Sequence, residues 1–205
     1  AVLAWDSVEY ETDAQGRALF NIRSTQSGAA QVSAIVNNML INKTATANFI
    51  AGPVSAESST VSAISNVPAN GISASKVQIT LKDYFGNPVC GKNVMIFSDD
   101  FEDSIIQPTA PTNSNGIAYG YAFSNDTKIS VISAQAVEGS INLIQTAAIQ
   151  FIKPQIVINE IMYNPPGSEP ADEWFEILSV SADTLLFDTL YITNSYDTII
   201  FQNIK

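Results

Sequence analysis

Four acidic residues near the C-terminal end have the types and spacing to do chemistry together. Glu160, Asp172, Glu173 and Glu176 fall on two strand-like runs separated by a proline-rich loop. Carboxylates on neighbouring strands can supply the several oxygen ligands that calcium takes. A pair of carboxyl groups, one with a raised pKa, can also hydrolyse a glycosidic bond. The plainer reading is a solvated face. Strand alternation puts Glu173 and Phe175 on one side and Trp174 and Glu176 on the other. A second acidic run, Asp99-Asp100-Phe101-Glu102-Asp103, follows the apolar run Val94-Met95-Ile96-Phe97. Asp99, Asp100 and Asp103 are therefore further calcium candidates, on a loop without the ligand spacing of an EF-hand. In both clusters the solvated reading is preferred, so no cofactor is expected and calcium is the only candidate ligand.

Nucleophilic chemistry is harder to assemble. The chain has no His, which removes the commonest general base and the commonest metal ligand together. A Ser-His-Asp triad cannot form. Cys90 is the only cysteine, so neither an intrachain disulfide nor a four-Cys zinc site is possible. Beside Val89 in an apolar stretch, Cys90 reads as a small buried hydrophobe rather than a reactive thiol. Trp5 and Trp174 are candidates for stacking on sugars, and Trp174 reads more naturally as core. Asn42-Lys43-Thr44 and Asn125-Asp126-Thr127 fit the glycosylation pattern, which matters only in a host that modifies asparagine. No catalytic residue is assigned, and the chain is expected not to be an enzyme.

The bulk numbers narrow the classes further. A net charge of −11 leaves no basic stripe to release phosphate counterions, so nucleic acid is not an expected partner. An anionic membrane surface would repel the chain. No run of about 20 apolar residues occurs, so no membrane-spanning helix is expected in this segment. Charged residues make up only 14%, low for a cytosolic enzyme. Ser, Thr, Asn, Ala and Gln take their place, as on the exposed faces of extracellular β-proteins. The 46% of apolar residues is enough for a core without disulfides. Strand-like patterns at both ends, with Val2, Leu3 and Trp5 at one and Ile199-Ile200-Phe201 at the other, read as a piece cut from a longer polypeptide.

Those residues must be positioned by strands. Short alternating runs dominate, bounded by Gly, Pro, Asn and Asp, and no helical period persists. Examples are Gln31-Val32-Ser33-Ala34-Ile35-Val36, Lys76-Val77-Gln78-Ile79-Thr80-Leu81 and Asn93-Val94-Met95-Ile96-Phe97. Turn signals every 8–12 residues suit a β-sandwich. An internal repeat organises most of the chain. Thr12-Asp13-Ala14-Gln15-Gly16-Arg17-Ala18 recurs 100 residues later as Thr112-Asn113-Ser114-Asn115-Gly116-Ile117-Ala118. Val32-Ser33-Ala34 recurs as Ile132-Ser133-Ala134, and Thr44 to Pro53 pairs with Thr146 to Pro154. The reading is three all-β pieces: 1–53, the C-terminal half of an immunoglobulin-like repeat; 54–154, a complete one; and 155–205, the start of another sandwich.

Two resemblances sharpen this. Asp83-Tyr84-Phe85-Gly86-Asn87-Pro88-Val89-Cys90-Gly91 before the apolar run 94–97, with Asn70-Gly71 before it and the turn 113–116 after it, resembles the bacterial Ig-like family typified by invasin and intimin, the Big-1 group. Gly86-Asn87 is expected to supply the φ > 0 positions of a tight turn, Pro88 to start the next strand, and Gly91 to allow a bulge. Gly120 and Tyr121 depart from the β-branched residues usual in that family. Ile156-Val157-Ile158-Asn159-Glu160-Ile161-Met162-Tyr163-Asn164-Pro165, followed by Asp172-Glu173-Trp174-Phe175-Glu176-Ile177, resembles the start of a lamin-tail domain. The resemblances imply tandem immunoglobulin-like sandwiches in a secreted or surface-anchored bacterial protein, acting as a stalk, filament or surface-layer component. Expected partners are neighbouring copies or other surface proteins; the open half sandwich is completed either by sequence upstream of Ala1 or by another chain through strand addition. The alternatives are an accessory region of a large secreted hydrolase or nuclease, and a calcium- or carbohydrate-binding module.

Overall fold

Alternating apolar and polar side chains can be satisfied only by strands with one covered face, and strands are what form. The computed structural model describes residues 3–8, 11–153, 156–162, 174–179, 187–193 and 198–204, and every regular element among them is a strand. The first segment carries β1 (Leu3–Val8), β2 (Phe20–Ser24), β3 (Gly28–Val32), β4 (Ile35–Val36), β5 (Met39–Leu40) and β6 (Ala45–Phe49). The central segment carries β7 (Thr60–Ala63), β8 (Val67–Pro68), β9 (Ser75–Thr80), β10 (Val94–Ser98), β11 (Ser104–Ile106), β12 (Ile117–Phe123), β13 (Lys128–Ala136), β14 (Ile141–Asn142) and β15 (Ala147–Ile152). The last carries β16 (Ile156–Met162), β17 (Trp174–Ser179), β18 (Phe187–Thr193) and β19 (Thr198–Ile204).

The central segment is a two-sheet sandwich. One sheet runs β11-β12-β9-β7; the other runs β10-β13-β15-β8, with β14 on β13. All pairings are antiparallel except β15 with β8. Every second residue faces in: Val77 and Ile79 on β9, Val94 and Ile96 on β10, Ala118 and Ala122 on β12, Ile132 and Ala134 on β13, Ile149 and Phe151 on β15. Among the described residues, every buried apolar side chain lies between Val61 and Phe151. Each large one contributes about 1.5–3 kcal/mol by leaving water, which is how the unit holds together without a disulfide.

Gly120 answers its departure from the β-branched pattern. A Cβ there would lie 2.5 Å from Ile96 Cδ1 and 2.6 Å from the Ile106 carbonyl oxygen. No larger side chain fits between the sheets at that point.

The first segment repeats part of this topology. β1 pairs with β2 as β11 pairs with β12, β3 with β6 as β13 with β15, and β4 with β5 as β13 with β14. Its strands pair only with one another among the described residues. The β4–β5 hairpin turns on Asn37 and Asn38, both at positive φ, the chemistry of a two-residue type I′ turn. In the last segment β16 pairs with β17 and β18 with β19. The side chains of Trp5 and Trp174, and residues 163–173, lie outside the described residues.

One turn is built three times. The side-chain Oδ1 of Asp13 accepts the Gln15 and Arg17 amides at 2.9 and 2.8 Å. Asp83 Oδ1 accepts those of Phe85 and Asn87 at 2.9 Å each. Asn113 Oδ1 accepts those of Asn115 and Ile117 at 2.9 and 3.1 Å. Each has a glycine at the fourth position, with φ of 75°, 84° and 73° at Gly16, Gly86 and Gly116. A short polar side chain that caps its own turn, followed by glycine, is the local rule. One expectation is corrected here: of the pair, only Gly86 takes positive φ, and Asn87 does not.

Candidate functional site

The acidic loop after β10 closes on a lysine. Asp100 Oδ2 lies 2.7 Å and Asp103 Oδ1 3.0 Å from Lys128 Nζ, at the start of β13. Asp103 Oδ2 accepts a hydrogen bond from Ser98 Oγ at 2.7 Å, and the Asp103 side chain is fully buried. Asp99 turns the other way, its Oδ1 accepting the Val131 amide at 2.7 Å. Burial by itself raises the Asp103 carboxyl, but the Ser130 and Ser98 hydroxyls, the Lys128 ammonium and the Ser124 hydroxyl outweigh it and hold the group below the usual value. The hydrogen bond from Lys128, with the Glu102 amide, does the same for Asp100. Lys128 is shifted up in turn, first by its hydrogen bond to Asp100.

Of the three loop residues singled out by sequence, two converge and one does not. The partner they converge on, Lys128, lies 28 positions beyond Asp100 and carried no local signal. Its ammonium bridges both carboxylates, at 2.7 and 3.0 Å, in the place a bound cation would take. Millimolar calcium is therefore expected to leave the thermal midpoint of the chain unchanged; a rise of several degrees in a melting series would assign a calcium site.

The second acidic set is only partly in view. Glu160 and Glu176 are register partners across β16 and β17, and both are exposed. Asn159 Nδ2 donates to Glu176 Oε1. Like charges directly opposite on a sheet repel, so solvent exposure is their natural state. Asp172 and Glu173 lie outside the described residues. Among the described residues, no group of three or more His, Cys, Asp or Glu is gathered to hold a metal ion.

Cys90 is exposed, which corrects the expectation that it is buried. Val89 is the buried neighbour, at 5% exposure. Both residues lie in the irregular stretch between β9 and β10, where the Val89 amide donates to the Leu81 carbonyl. The thiol lines a groove with Ser27, Gly28, Phe49, Ile50, Pro88 and Lys92.

A second concavity, apolar, lies on the first segment. It is lined by Phe20, Ile22, Val32, Ala34, Ile35 and Ala47 among others. The positions one repeat on, Gly120, Ala122, Ile132 and Ala134, are buried between the central sheets. Phe20, by contrast, is 48% exposed and Ile35 68%. This groove lies between β2 and the β3–β6 pair, the places that β12 and the β13–β15 pair take on facing sheets of the central sandwich. Among the described residues no further strand extends either half.

Two stacked antiparallel sheets, in-out alternation and a partial second copy of the same topology define the class: an all-β, immunoglobulin-like sandwich protein. Residues 57–152 match the sequence profile of the bacterial Ig-like domain, group 1. The chain is similar to Yersinia pseudotuberculosis InvD, with 14% identity over 98% of this chain and 68% of that one and a TM-score of 0.54. It is also similar to the Escherichia coli adhesin FdeC, at 14% identity, 78% and 56% coverage and a TM-score of 0.53. The Yersinia pseudotuberculosis adhesin InvE shares 24% identity over 52% of this chain, with a TM-score of 0.43. The chain spans 31% of the length of InvE and 42% of that of an integrin-binding invasin. At these identities the likeness speaks to the fold.

Proposed function

We propose that this chain is a non-catalytic structural or adhesive module of a bacterial surface protein, in which tandem immunoglobulin-like units act as spacers or present adhesive faces. The observation that carries the reading is the recurrence of one half-sandwich, turn by turn, at an offset of 100 residues. The match of residues 57–152 to the bacterial Ig-like profile supports it, as does similarity to proteins described as adhesins. The absence of His from the sequence supports the non-catalytic part. In the finer form, the module belongs to a stalk, filament or surface-layer assembly. Residues 155–205 begin a lamin-tail-like sandwich; the antiparallel pair β16·β17 accords with that.

The open apolar face of the first segment supports a second copy as the partner. A second copy adding a strand there would cover Phe20, Ile22 and Val32 and pair the free edges. The purified 205-residue chain is expected to form larger species as its concentration rises, read by size-exclusion with light scattering. A monomer at every concentration sinks the self-assembly reading. For adhesion, bacteria displaying the chain should bind to one another or to host cells more than undecorated bacteria, and equal binding would remove that part.

A further inference from the structure

The turn 83–87 uses its fifth residue differently from its two sister turns. At 13–17 the fifth residue is Arg17, which folds back with Nε 3.1 Å from Asp13 Oδ2. At 113–117 it is Ile117, half-buried at the start of β12. At 83–87 it is Asn87, and its side-chain amide leaves its own segment. Asn87 Oδ1 accepts the Ser27 amide at 2.9 Å, and Asn87 Nδ2 donates to the Thr25 carbonyl at 2.9 Å. Thr25 and Ser27 sit in the turn between β2 and β3, about 60 residues upstream. The planar side-chain amide pairs with that backbone as a neighbouring peptide group would.

Asp83 anchors the arrangement. Only 2% exposed, it accepts Asn87 Nδ2 and the Gly52 amide on Oδ2, both at 2.8 Å. Gly52 belongs to the short connection between β6 and the central segment. One carboxylate oxygen thus builds the turn, while the other holds both the connecting chain and the amide that reaches across. Asparagine suffices at 113, where only the turn is needed. An acceptor-only group is required at 83, because both N–H groups facing Oδ2 are donors. Burial raises the Asp83 carboxyl, and the Asn87 side chain with the Gly52, Asn87 and Phe85 amides outweighs it and holds it low.

We propose that Asp83 and Asn87 form a clamp that fixes the angle between the first segment and the central sandwich, with the Asn87 amide reading the backbone of the 25–27 turn. The covalent connection at Gly52-Pro53 leaves rotations that these hydrogen bonds remove. A tandem array clamped in this way transmits force and orientation as a rod rather than as beads on a string.

The test is residual dipolar couplings on the full 205-residue chain. Wild type is expected to give one alignment tensor for residues 11–49 and 57–152. Asn87→Ala keeps the Asp83 turn and should lose that shared tensor, with the first segment showing the weaker alignment. Asn87→Asp is the second variant: it keeps the acceptor for Ser27 but sets an oxygen against Asp83 Oδ2 and the Thr25 carbonyl, and should have the same effect. Spectra of residues 57–152 that stay dispersed in either variant establish that the sandwich is folded. A shared tensor surviving in the folded variants overturns the clamp. Separate tensors in wild type overturn it too.

Discussion

Replacing Lys128 with Met is expected to destabilise the central sandwich by roughly 2–3 kcal/mol at pH 7, and by much less at pH 3. Met keeps the apolar stem and removes the ammonium 3.0 Å from Asp103. The Asp103 side chain is fully buried, so its carboxylate would be left without a counter-charge where water cannot replace it. The sign with pH follows from the folded values. In wild type both carboxyls are held low, so their stabilisation is present above about pH 4 and fades as pH falls through those lowered values. Lys128 is held high, so its share is lost only as pH rises through its folded value, above the ordinary lysine range. In the variant the Asp103 carboxyl lies higher than in wild type, because the Ser130, Ser98 and Ser124 hydroxyls then oppose burial without the cation. Protonation then costs the variant less than the wild type, and the gap between them narrows in acid. Urea titrations followed by circular dichroism at the two pH values read this directly. No loss at either pH would mean that Lys128 acts through its stem alone, and an equal loss at both would mean that the ionisation of the carboxyls plays no part.

Gly116→Ala is the second large effect, at roughly 3 kcal/mol or more. Two costs combine. Gly116 sits at φ 73°, where an L side chain costs roughly 1–2 kcal/mol. Its new Cβ would also lie 2.3 Å from the Leu81 carbonyl oxygen and 3.1 Å from the Val89 amide nitrogen. That carbonyl accepts the Val89 amide at 2.9 Å, and the Leu81 amide donates to the Gly116 carbonyl at 2.8 Å. Leu81 is fully buried, so the backbone cannot retreat without disturbing the core. Forced crowding of this kind adds about 1–3 kcal/mol. The fold supplies its own control. Gly86 holds the same place in the same turn at φ 84°, with nothing within 4 Å of its would-be Cβ. Gly86→Ala should therefore cost only about 1–2 kcal/mol, the conformational part. Matching losses in the two variants would show that φ alone decides.

Much of the fold was legible because it rests on short-range rules. Period-two alternation marks strands such as β9, β10 and β15 without knowledge of their partners. The spacing of a short polar residue and a glycine three positions on marks the turns at 13–16 and 113–116, since the side chain caps amides only two and four residues away. The 100-residue offset made those two turns recognisable as copies. The third copy was hidden in the resemblance motif, where Asn87 was assigned a backbone role that Gly86 alone fills.

What the chain could not announce depends on residues far apart in sequence. Val89 and Cys90 read as an apolar pair, but only the packing of the stretch between β9 and β10 decides that Val89 goes in and Cys90 out. Asp100 and Asp103 look like solvent-facing acids until β13 brings Lys128 to them. Asn87 looks like turn punctuation until the first segment places Thr25 and Ser27 against its amide. By itself, the sequence determines an all-β chain with a repeated turn, no His and a single Cys. The tertiary structure decides which charges are paired, which apolar faces are covered and how one unit grips the next. Those outcomes turn on distances of about 3 Å between groups 25 to 62 positions apart, and no local pattern encodes them.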